Sequence, residues 1–269
     1  RHGTMDAYRN AKANLFARTR DGDECIVPFG EEAEWRRRSG GGGTWRTFGE
    51  APGAAYRIEG FTLVTPFGSC ELPADAPLAT SAFRPLIPAV AAAVHRWVEA
   101  PPAVAEAVAA FQPLPHRMAR LGERDGVEWI EDSKSTCSAS LRAALAAYAG
   151  RRVRLIAGGR PKEPDFSGLA EAVARSCTAV YLIGEAAPAM ERDWREAAPV
   201  RSCGTLDAAL EAARVDARPG EVVLFSPACA SFDQFSGYAE RGDRMIAWVK
   251  NLRNRQESEK RETCKGDES

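Results

Sequence analysis

The sequence predicts an α/β protein with two domains, the second of them built around a mostly parallel sheet. At 269 residues the chain is long enough for two hydrophobic cores. From about residue 119, short apolar runs alternate with segments of helical periodicity, which is typical of a parallel sheet covered by helices on both faces. The pattern before that point is more mixed, so we place a domain boundary between residues 118 and 119.

The first domain, residues 1–118, contains short elements separated by glycine and proline. Met5, Tyr8 and Leu15 lie on one loosely apolar helical face. Pro101 and Pro102 separate two alanine- and valine-rich helices, because proline starts helices but rarely continues them. The predicted elements are a helix at 5–17, a strand at 25–29, a flexible turn at 39–43, strand-like runs within 54–72, and helices at 86–99 and 101–111.

The second domain, residues 119–252, alternates between strands and helices. The predicted strands are 127–131, 153–157, 179–183 and 221–225, and the predicted helices are 138–149, 167–176, 186–196, 205–214 and 234–251. The last segment, 253–269, is charged and nearly free of large apolar groups. Because it buries too little surface to offset the entropy of ordering, we expect a disordered tail.

Composition limits the class of function. The net charge of −1 gives no basic excess for nucleic acid or a membrane surface, and no apolar run approaches the length of a membrane span. Seven cysteines without a Cys-x-x-Cys pair indicate reduced thiols, and three scattered histidines disfavour structural zinc. We therefore expect a cytoplasmic protein with no nucleic acid partner and no membrane insertion.

Two polar segments each begin where a predicted strand ends. Residues 132–136, Asp-Ser-Lys-Ser-Thr, follow the strand at 127–131, and residues 226–235, Ser-Pro-Ala-Cys-Ala-Ser-Phe-Asp-Gln-Phe, follow the strand at 221–225. Open α/β sheets bind ligands at the carboxyl ends of their strands. A carboxylate, a lysine and hydroxyls before a helix suit an anion or a metal-bound nucleotide, although by themselves they also fit a helix N-cap.

Two further segments carry charge beside glycine or proline. Residues 156–162, Ile-Ala-Gly-Gly-Arg-Pro-Lys, follow another predicted strand, and Lys162 supplies a mobile positive charge. By itself this is also an ordinary strand-to-helix turn. Residues 114–117, Leu-Pro-His-Arg, fit a solvated edge equally well. In the run after the last strand, Cys229 is a poor candidate nucleophile because no histidine is near it in sequence.

Together these segments resemble the Mur ligase family, in particular its members that add D-glutamate. The resemblance implies the second half of a central ATP-binding domain at 1–118, followed by a Rossmann-like domain that binds the amino acid. It runs from about Arg1 to Leu252, and 226–235 is its most specific segment.

For ATP and Mg²⁺, the resemblance implies four residues. His116 and Arg117 fall on a His-Arg pair that contacts ATP, although Pro113 and Met118 depart from the family pattern around it. Asp132 falls on a residue that faces the nucleotide. The run Tyr-Arg-Asn-Ala-Lys at 8–12 matches a family segment whose lysine is carbamylated, so Lys12 is expected to be a catalytic residue that holds magnesium as a carbamate.

For the amino acid, the resemblance implies four more residues. Thr136 contacts the incoming D-glutamate, and Lys162 pairs with one of its carboxylates. Ser231 falls on the position that binds the side-chain carboxylate. Tyr238 stands where the family has a phenylalanine whose backbone helps to hold the substrate.

Two family features are absent from the sequence. No glycine-rich phosphate loop ending in Gly-Lys-Ser/Thr is present, and the domain for the UDP-sugar is missing. Both precede the corresponding point in the family, and the chain begins at Arg1, so we expect a fragment of a longer protein that has no ligase activity alone. The family's Gly-x-His-Asn is replaced around 78–88 by a segment without His or Asn.

The implied function is ATP-dependent addition of D-glutamate to UDP-N-acetylmuramoyl-L-alanine in peptidoglycan precursor synthesis, through an acyl phosphate. One alternative is another Mur or folate polyglutamate ligase, although these lack the Ser-Pro-Ala-Cys-Ala-Ser run. A second is a non-catalytic binding module, favoured by the changed segment at 78–88. A third is a nicotinamide-binding domain, disfavoured because no GxGxxG follows a strand.

Overall fold

The computed structural model describes residues 3–74, 76, 78, 83–98, 100–162 and 165–266, with side chains up to Leu252. It divides the chain into two compact units, Arg1–Gln112 and Pro113–Ser269. The division falls earlier than the boundary predicted at 118/119 because the connecting segment hydrogen-bonds within the second unit. The Lys134 amide donates to the His116 carbonyl oxygen over 3.0 Å, and the Met118 amide donates to Asp132 Oδ1 over 3.2 Å.

The first unit contains one five-stranded sheet in the order β1-β2-β3-β4-β5. Strands β1 to β3 are parallel, whereas β4 and β5 continue as antiparallel hairpin strands. The strands are β1 (Glu24–Pro28), β2 (Thr44–Gly49), β3 (Tyr56–Glu59), β4 (Thr62–Thr65) and β5 (Gly68–Glu71). The helices are α1 (Met5–Ala13), α2 (Glu32–Ser39), α3 (Ile87–Val94) and α4 (Pro101–Ala110).

Two elements of this unit, α2 and β2, were not predicted from the sequence. Helix α2 buries no residue, so it lacks the apolar stripe that periodicity detects. Ion pairs hold it instead: Arg38 pairs with Asp6 of α1 at 2.7 Å and with Glu34 of α2 itself at 2.9 Å. The predicted helix at 5–17 ends at Ala13. Within the segment that lacks the family's His-Asn, residues 79–82 lie outside the described residues.

The second unit contains a six-stranded sheet in the order β10-β9-β8-β11-β7-β6, parallel except for β6 at one edge. This confirms the predicted fold class. The strands are β6 (Ala119–Arg124), β7 (Val127–Glu131), β8 (Val153–Gly158), β9 (Cys177–Ile183), β10 (Val200–Gly204) and β11 (Val222–Phe225). The helices are α5 (Ser138–Ala147), α6 (Ala170–Ser176), α7 (Ala187–Trp194), α8 (Leu206–Asp216) and α9 (Tyr238–Gly266).

Apolar strand residues place the core on both faces of this sheet. Leu155, Val180 and Leu224 pack with α5, α6 and α7 on one face. Ile156, Tyr181 and Phe225 face the opposite cluster, which includes residues of α8 and α9. The two strands missed by the sequence prediction, β6 and β10, are the edge strands, and their partly exposed residues lack the continuous apolar run of a central strand.

The predicted disordered tail is not matched by the backbone, because α9 continues as helix to Gly266. Arginine, lysine, glutamine and glutamate dominate 253–266, and these residues have high helix propensity. The packed start of α9 provides the nucleus from which the helix extends. Within the described part of the chain, no helix combines the length and apolar character that crossing a membrane requires.

Candidate active site

The candidate site lies at the carboxyl edge of the second sheet, where β7, β8 and β11 end side by side. Backbone hydrogen bonds continue beyond the strand ends. The Asp132 amide donates to the Phe225 carbonyl oxygen over 2.9 Å, and the Gly158 amide donates to that of Pro227 over 2.9 Å. Residues 132–136, 159–162 and 226–235 therefore form three adjacent loops, as expected for the ligand-binding edge of a parallel sheet.

Asp132 is buried between these loops, with 6% of its surface exposed. The Ser226 hydroxyl donates to its Oδ2 over 2.8 Å, and the Met118 amide donates to its Oδ1 over 3.2 Å. Burial raises the pKa of Asp132 to about 7, although the hydrogen bonds from Ser226 and Met118 lower it and Arg117 adds a smaller lowering effect. Through these two hydrogen bonds, Asp132 links the loop after β11 to the segment that precedes β6.

His116 lies beside Asp132 and is also mostly buried. Its Nδ1 is 3.0 Å from Glu131 Oε2, and Glu131 Oε1 accepts a 2.7 Å hydrogen bond from the Ser133 amide. The backbone of His116 has a φ of 65°, in the left-handed region, and the Lys134 amide holds its carbonyl oxygen. The three residues predicted to bind the nucleotide, His116, Arg117 and Asp132, are therefore gathered at the start of the second unit.

Two residues predicted to bind the amino acid are in direct contact. Lys162 Nζ lies 3.1 Å from Thr136 Oγ1, so the loops after β7 and β8 meet at these side chains. Lys162 is exposed and Thr136 is half-buried. A mobile ammonium with one hydroxyl contact retains donors for a carboxylate.

Ser231 is buried at the first residue of a tight turn in the loop after β11. Its carbonyl oxygen accepts hydrogen bonds from the Gln234 and Phe235 amides at 3.1 and 2.9 Å. Within the described residues, its own amide and hydroxyl and the Phe232 amide make no hydrogen bond. Free donors at the start of such a turn are suited to an anion. The Phe232 amide was missed by sequence reasoning because a backbone donor has no side-chain signature.

The loops after β8 and β11 are bridged by backbone. The Arg160 amide donates to the Ala230 carbonyl oxygen over 2.8 Å, and the Ala230 amide returns a 3.0 Å bond to Arg160. Lys162 and the Ser231 donors therefore come from two loops that are fixed to each other. At Gly159 a side chain would collide with the Ala230 carbonyl oxygen, so this close approach requires glycine.

Tyr238 begins α9 and joins the site through its backbone. Its carbonyl oxygen accepts a 2.7 Å hydrogen bond from the Ser133 hydroxyl. Its ring lies under Lys134, with Nζ 3.8 Å from the ring centroid, a cation–π geometry that holds this lysine at the site. Lys134 had been identified only as part of a motif, because its partner lies far away in sequence.

Arg241, one turn into α9, was not identified from the sequence. Its side chain is buried, and its guanidinium donates to the carbonyl oxygens of Ser133, Cys229 and Ala230 at 2.9, 3.0 and 3.2 Å. These acceptors belong to the loops after β7 and β11. Such long-range contacts leave no local pattern in a sequence.

Lys12, the predicted magnesium ligand, belongs to the first unit. It is exposed on α1, with Nζ 5.5 Å from the centroid of the Tyr8 ring, and it forms no ion pair among the described residues. The same residues contain no group of three or more His, Cys, Asp or Glu that could hold a metal ion. An unpaired, accessible amine is compatible with carbamylation, which would convert a cation into an oxygen ligand.

Comparisons with protein families, curated sequences and solved structures give consistent matches. The family model for the Mur ligase, glutamate ligase domain matches residues 116–229. A UDP-N-acetylmuramoylalanine–D-glutamate ligase of Gloeobacter violaceus is 37% identical over 267 residues, covering 94% of this chain and 57% of that protein. The structure of MurF ligase from Thermotoga maritima in complex with ADP has a TM-score of 0.67 at 17% identity, covering 94% of this chain and 59% of that one.

A bifunctional folylpolyglutamate synthase/dihydrofolate synthase of Yersinia pestis has the same fold, with a TM-score of 0.62 at 18% identity over 91% of this chain and 57% of that one. The fold is thus the one shared by these solved Mur-type and folylpolyglutamate-type ligases. The sequence matches show that residues 116–229 belong to the Mur ligase family's glutamate ligase domain, and that most of the chain is similar to UDP-N-acetylmuramoylalanine–D-glutamate ligases. The chain spans 34% to 58% of the length of the curated relatives it matches.

Proposed function

We propose that this chain is the amino-acid-binding part of an ATP-dependent ligase that adds D-glutamate to UDP-N-acetylmuramoyl-L-alanine. The observation that carries the proposal is the pair of bridged loops that present Lys162 and the free donors of Ser231. A dicarboxylic amino acid needs two anion contacts at separate points. An ammonium for one carboxylate and a hydroxyl with backbone amides for the other meet that need.

The reaction forms an amide in two steps. The carboxylate of the acceptor takes the terminal phosphoryl group that bound ATP supplies, giving an acyl phosphate and ADP. The amine of D-glutamate then attacks the acyl carbon, inorganic phosphate leaves, and the amine loses a proton. In this scheme Thr136, Lys162, Ser231 and the backbone at Tyr238 orient the amino acid, so the second unit contributes mainly positioning.

The nucleotide contacts are proposed for His116, Arg117 and Asp132. A carboxylate has about four acceptor sites, and Asp132 uses two of them for Ser226 and Met118. It therefore retains capacity for a ribose hydroxyl, while half-buried Arg117 supplies positive charge for phosphate. Lys12, as a carbamate, is proposed to contribute an oxygen ligand to Mg²⁺.

The proposal extends to a monomeric cytoplasmic enzyme. The substrates are charged small molecules, and no disulfide joins the cysteines whose side chains the structure describes. Reduced thiols are typical of that compartment.

The test is an assay of phosphate release by the protein that contains this chain, with ATP, Mg²⁺ and UDP-N-acetylmuramoyl-L-alanine. We expect release to require D-glutamate and to be absent with L-glutamate, meso-diaminopimelate or D-alanyl-D-alanine. Release that depends on one of those three instead would contradict the assignment. Product mass identifies the amide formed.

A further inference from the structure

Arg241 has a set of contacts that the proposed reaction does not use. The side chain is 1% exposed and lies among the ends of β7, β8 and β11. Its Nη2 donates to the carbonyl oxygens of Ser133 and Cys229, and its Nη1 donates to that of Ala230. One guanidinium therefore connects the two loops that carry Thr136 and Ser231.

Among the described residues Arg241 forms no ion pair, although the charges of Asp233 and Glu131 favour its ionised form. Its Nε makes no hydrogen bond among those residues. Burial lowers the pKa of Arg241 to about 10, so the guanidinium stays charged near neutral pH while its desolvation is only partly compensated. A neutral residue of similar size would avoid this cost, which indicates that the charge itself serves the site.

The bond to Ala230 acts on the peptide that carries the free Ser231 amide. Carbonyl oxygen and amide hydrogen point to opposite sides of a planar trans peptide. With Arg241 and the Arg160 amide both bound to the Ala230 oxygen, the Ser231 N–H is directed to the other side. A cation on the carbonyl also polarises that peptide and strengthens its N–H as a donor.

The surrounding backbone is shaped to admit this guanidinium. A Cβ at Gly159 would come within 3.0 Å of Arg241 Nη1 and would collide with the Ala230 oxygen. A Cβ at the adjacent Gly242 would overlap His116 Nδ1 and lie 2.6 Å from Ser133 Oγ. Two positions without side chains thus allow α9 and the loop after β8 to close around the arginine.

We propose that Arg241 is a positioning residue for the acidic amino-acid substrate: it orients the Ser231 and Phe232 donors and places a buried positive charge behind the carboxylate that they receive. The inference rests on the proposed function insofar as it takes D-glutamate as that substrate. Arg241 contacts loop carbonyls rather than the substrate itself. Its effect is therefore expected on affinity for the amino acid, with little effect on the nucleotide.

The test compares Arg241→Met and Arg241→Lys with Arg244→Met in the intact protein that carries this chain. Arg244 lies on the next part of α9, is exposed, and pairs with Asp207 at the surface, so it is a matched arginine outside the site. We expect Arg241→Met to raise KM for D-glutamate about tenfold or more, with KM for ATP changed less than about twofold. Arg241→Lys should be intermediate because one ammonium retains the charge but cannot reach all three carbonyls. Arg244→Met should match wild type.

Hydrogen–deuterium exchange provides a readout that needs no activity. Arg241→Met should speed exchange in 132–137 and 226–235 and leave β9 unchanged, whereas Arg244→Met should change neither loop. The proposal is overturned if Arg241→Met has the wild-type KM for D-glutamate, or if its KM for ATP rises by the same factor. Unchanged exchange rates in both loops would also overturn it. If wild-type protein shows no D-glutamate-dependent phosphate release, the proposed function fails, and exchange alone decides whether Arg241 holds the loops. If the methionine variant does not fold, the lysine variant decides by the same criteria.

Discussion

Two buried arginines of the second unit, Arg154 and Arg241, lie at opposite ends of the sheet, and their pKa values are shifted in opposite directions. Near the amino ends of β8 and β11, Arg154 donates to Glu221 Oε2 and, over 3.0 Å, to the Tyr181 hydroxyl. Glu221 also pairs with Arg152 at 3.2 Å. Burial opposes the charge of Arg154, but the bonds to Glu221 and Tyr181 outweigh it and raise the pKa of Arg154. At the carboxyl edge Arg241 donates to three carbonyl oxygens and forms no ion pair among the described residues, and burial lowers its pKa to about 10.

The difference separates charge that stabilises the fold from charge that serves a ligand. At the amino end the charges of Arg152, Arg154 and Glu221 pair with one another. At the carboxyl end Arg241 and Asp132 are buried and form no ion pair among the described residues, and the contact of Lys162 within those residues is with the Thr136 hydroxyl. We expect changes at the first end to affect stability, and changes at the second to affect substrate use or the pH dependence of stability.

The largest effect is expected for Arg154, whose charge we assign to the stability of the fold. Arg154→Met leaves Glu221 buried with the exposed Arg152 and the Arg218 amide as partners. Removing one member of a buried pair costs about 3–5 kcal/mol. The free energy of unfolding, measured by urea titration, should fall by that amount, while KM for D-glutamate stays at the wild-type value in folded protein. The double variant Arg154→Met/Glu221→Gln should recover part of the loss. A selective rise in KM for D-glutamate would break the distinction between the two ends.

A second prediction concerns Lys12, an exposed cation on α1 of the first unit. In the intact protein Lys12→Ala should lower kcat at least about a hundredfold, because Mg²⁺ would lose an anionic ligand beside the transferred phosphoryl group. Stability should be unchanged because Lys12 is exposed and forms no ion pair among the described residues. Added acetate should restore part of the turnover of the alanine variant.

Lys12→Arg is the matched control for this prediction. Arginine keeps the positive charge but cannot form the carbamate, so it should be as inactive as alanine and should not respond to acetate. Turnover like wild type in Lys12→Arg would show that Lys12 is a solvated surface cation.

Lys162 should give a smaller, selective effect. Loss of one charge-assisted contact is worth about 1.5–3 kcal/mol, so Lys162→Ala should raise KM for D-glutamate about tenfold to a hundredfold, with little change for ATP. Lys250→Ala, an exposed lysine on α9, is the control. If Lys162→Ala changed KM for ATP but not KM for D-glutamate, the assignment of Lys162 to the amino acid would be wrong.

The smallest expected effect is the pH dependence contributed by Asp132. Its pKa is raised from 3.8 to about 7 in the folded protein, so the folded state holds the proton more tightly. The stability that protonated Asp132 contributes to the folded state is fully present below pH 3.8 and is lost as pH rises through about 7. A difference of about three units sets an upper limit of about 4 kcal/mol, and relaxation around the charge reduces this to about 1–2 kcal/mol.

Asp132→Asn tests this by removing the titration. Its stability relative to wild type should increase as pH rises from 4 to 8, in urea titrations at fixed ionic strength. Ser226→Ala removes the hydroxyl that lowers the pKa of Asp132, so its transition should move to higher pH. A constant difference between Asp132→Asn and wild type across this range would rule out the raised pKa.

The sequence predicted the central strands of the second sheet and several site residues because both leave local signals. Strand β7 was predicted at its observed limits because Val127, Trp129 and Ile130 give it an apolar character that the sequence shows locally. Lys162 and Thr136, which the family resemblance assigns to the same substrate, lie in contact across the loops after β8 and β7. Helix α2 and the edge strands β6 and β10 were not predicted from the sequence. They are exposed and are held by ion pairs or by a single neighbouring strand, so they lack the apolar periodicity that identifies helices and strands. The role of Arg241 was not predicted because the carbonyl oxygens that it contacts are distant in sequence and come together only when the sheet folds.

Arg241 and Gly242 place opposite demands on two adjacent positions of α9. At the first, the side chain must reach three carbonyl oxygens, whereas at the second even a methyl group would displace His116 and Ser133. Glu240 and Asp243, on either side, are exposed. A saturation scan of this helix should therefore show a narrow pair of intolerant codons between permissive ones. An engineer seeking to change the amino acid that the enzyme accepts should vary 231–235 and leave this pair untouched.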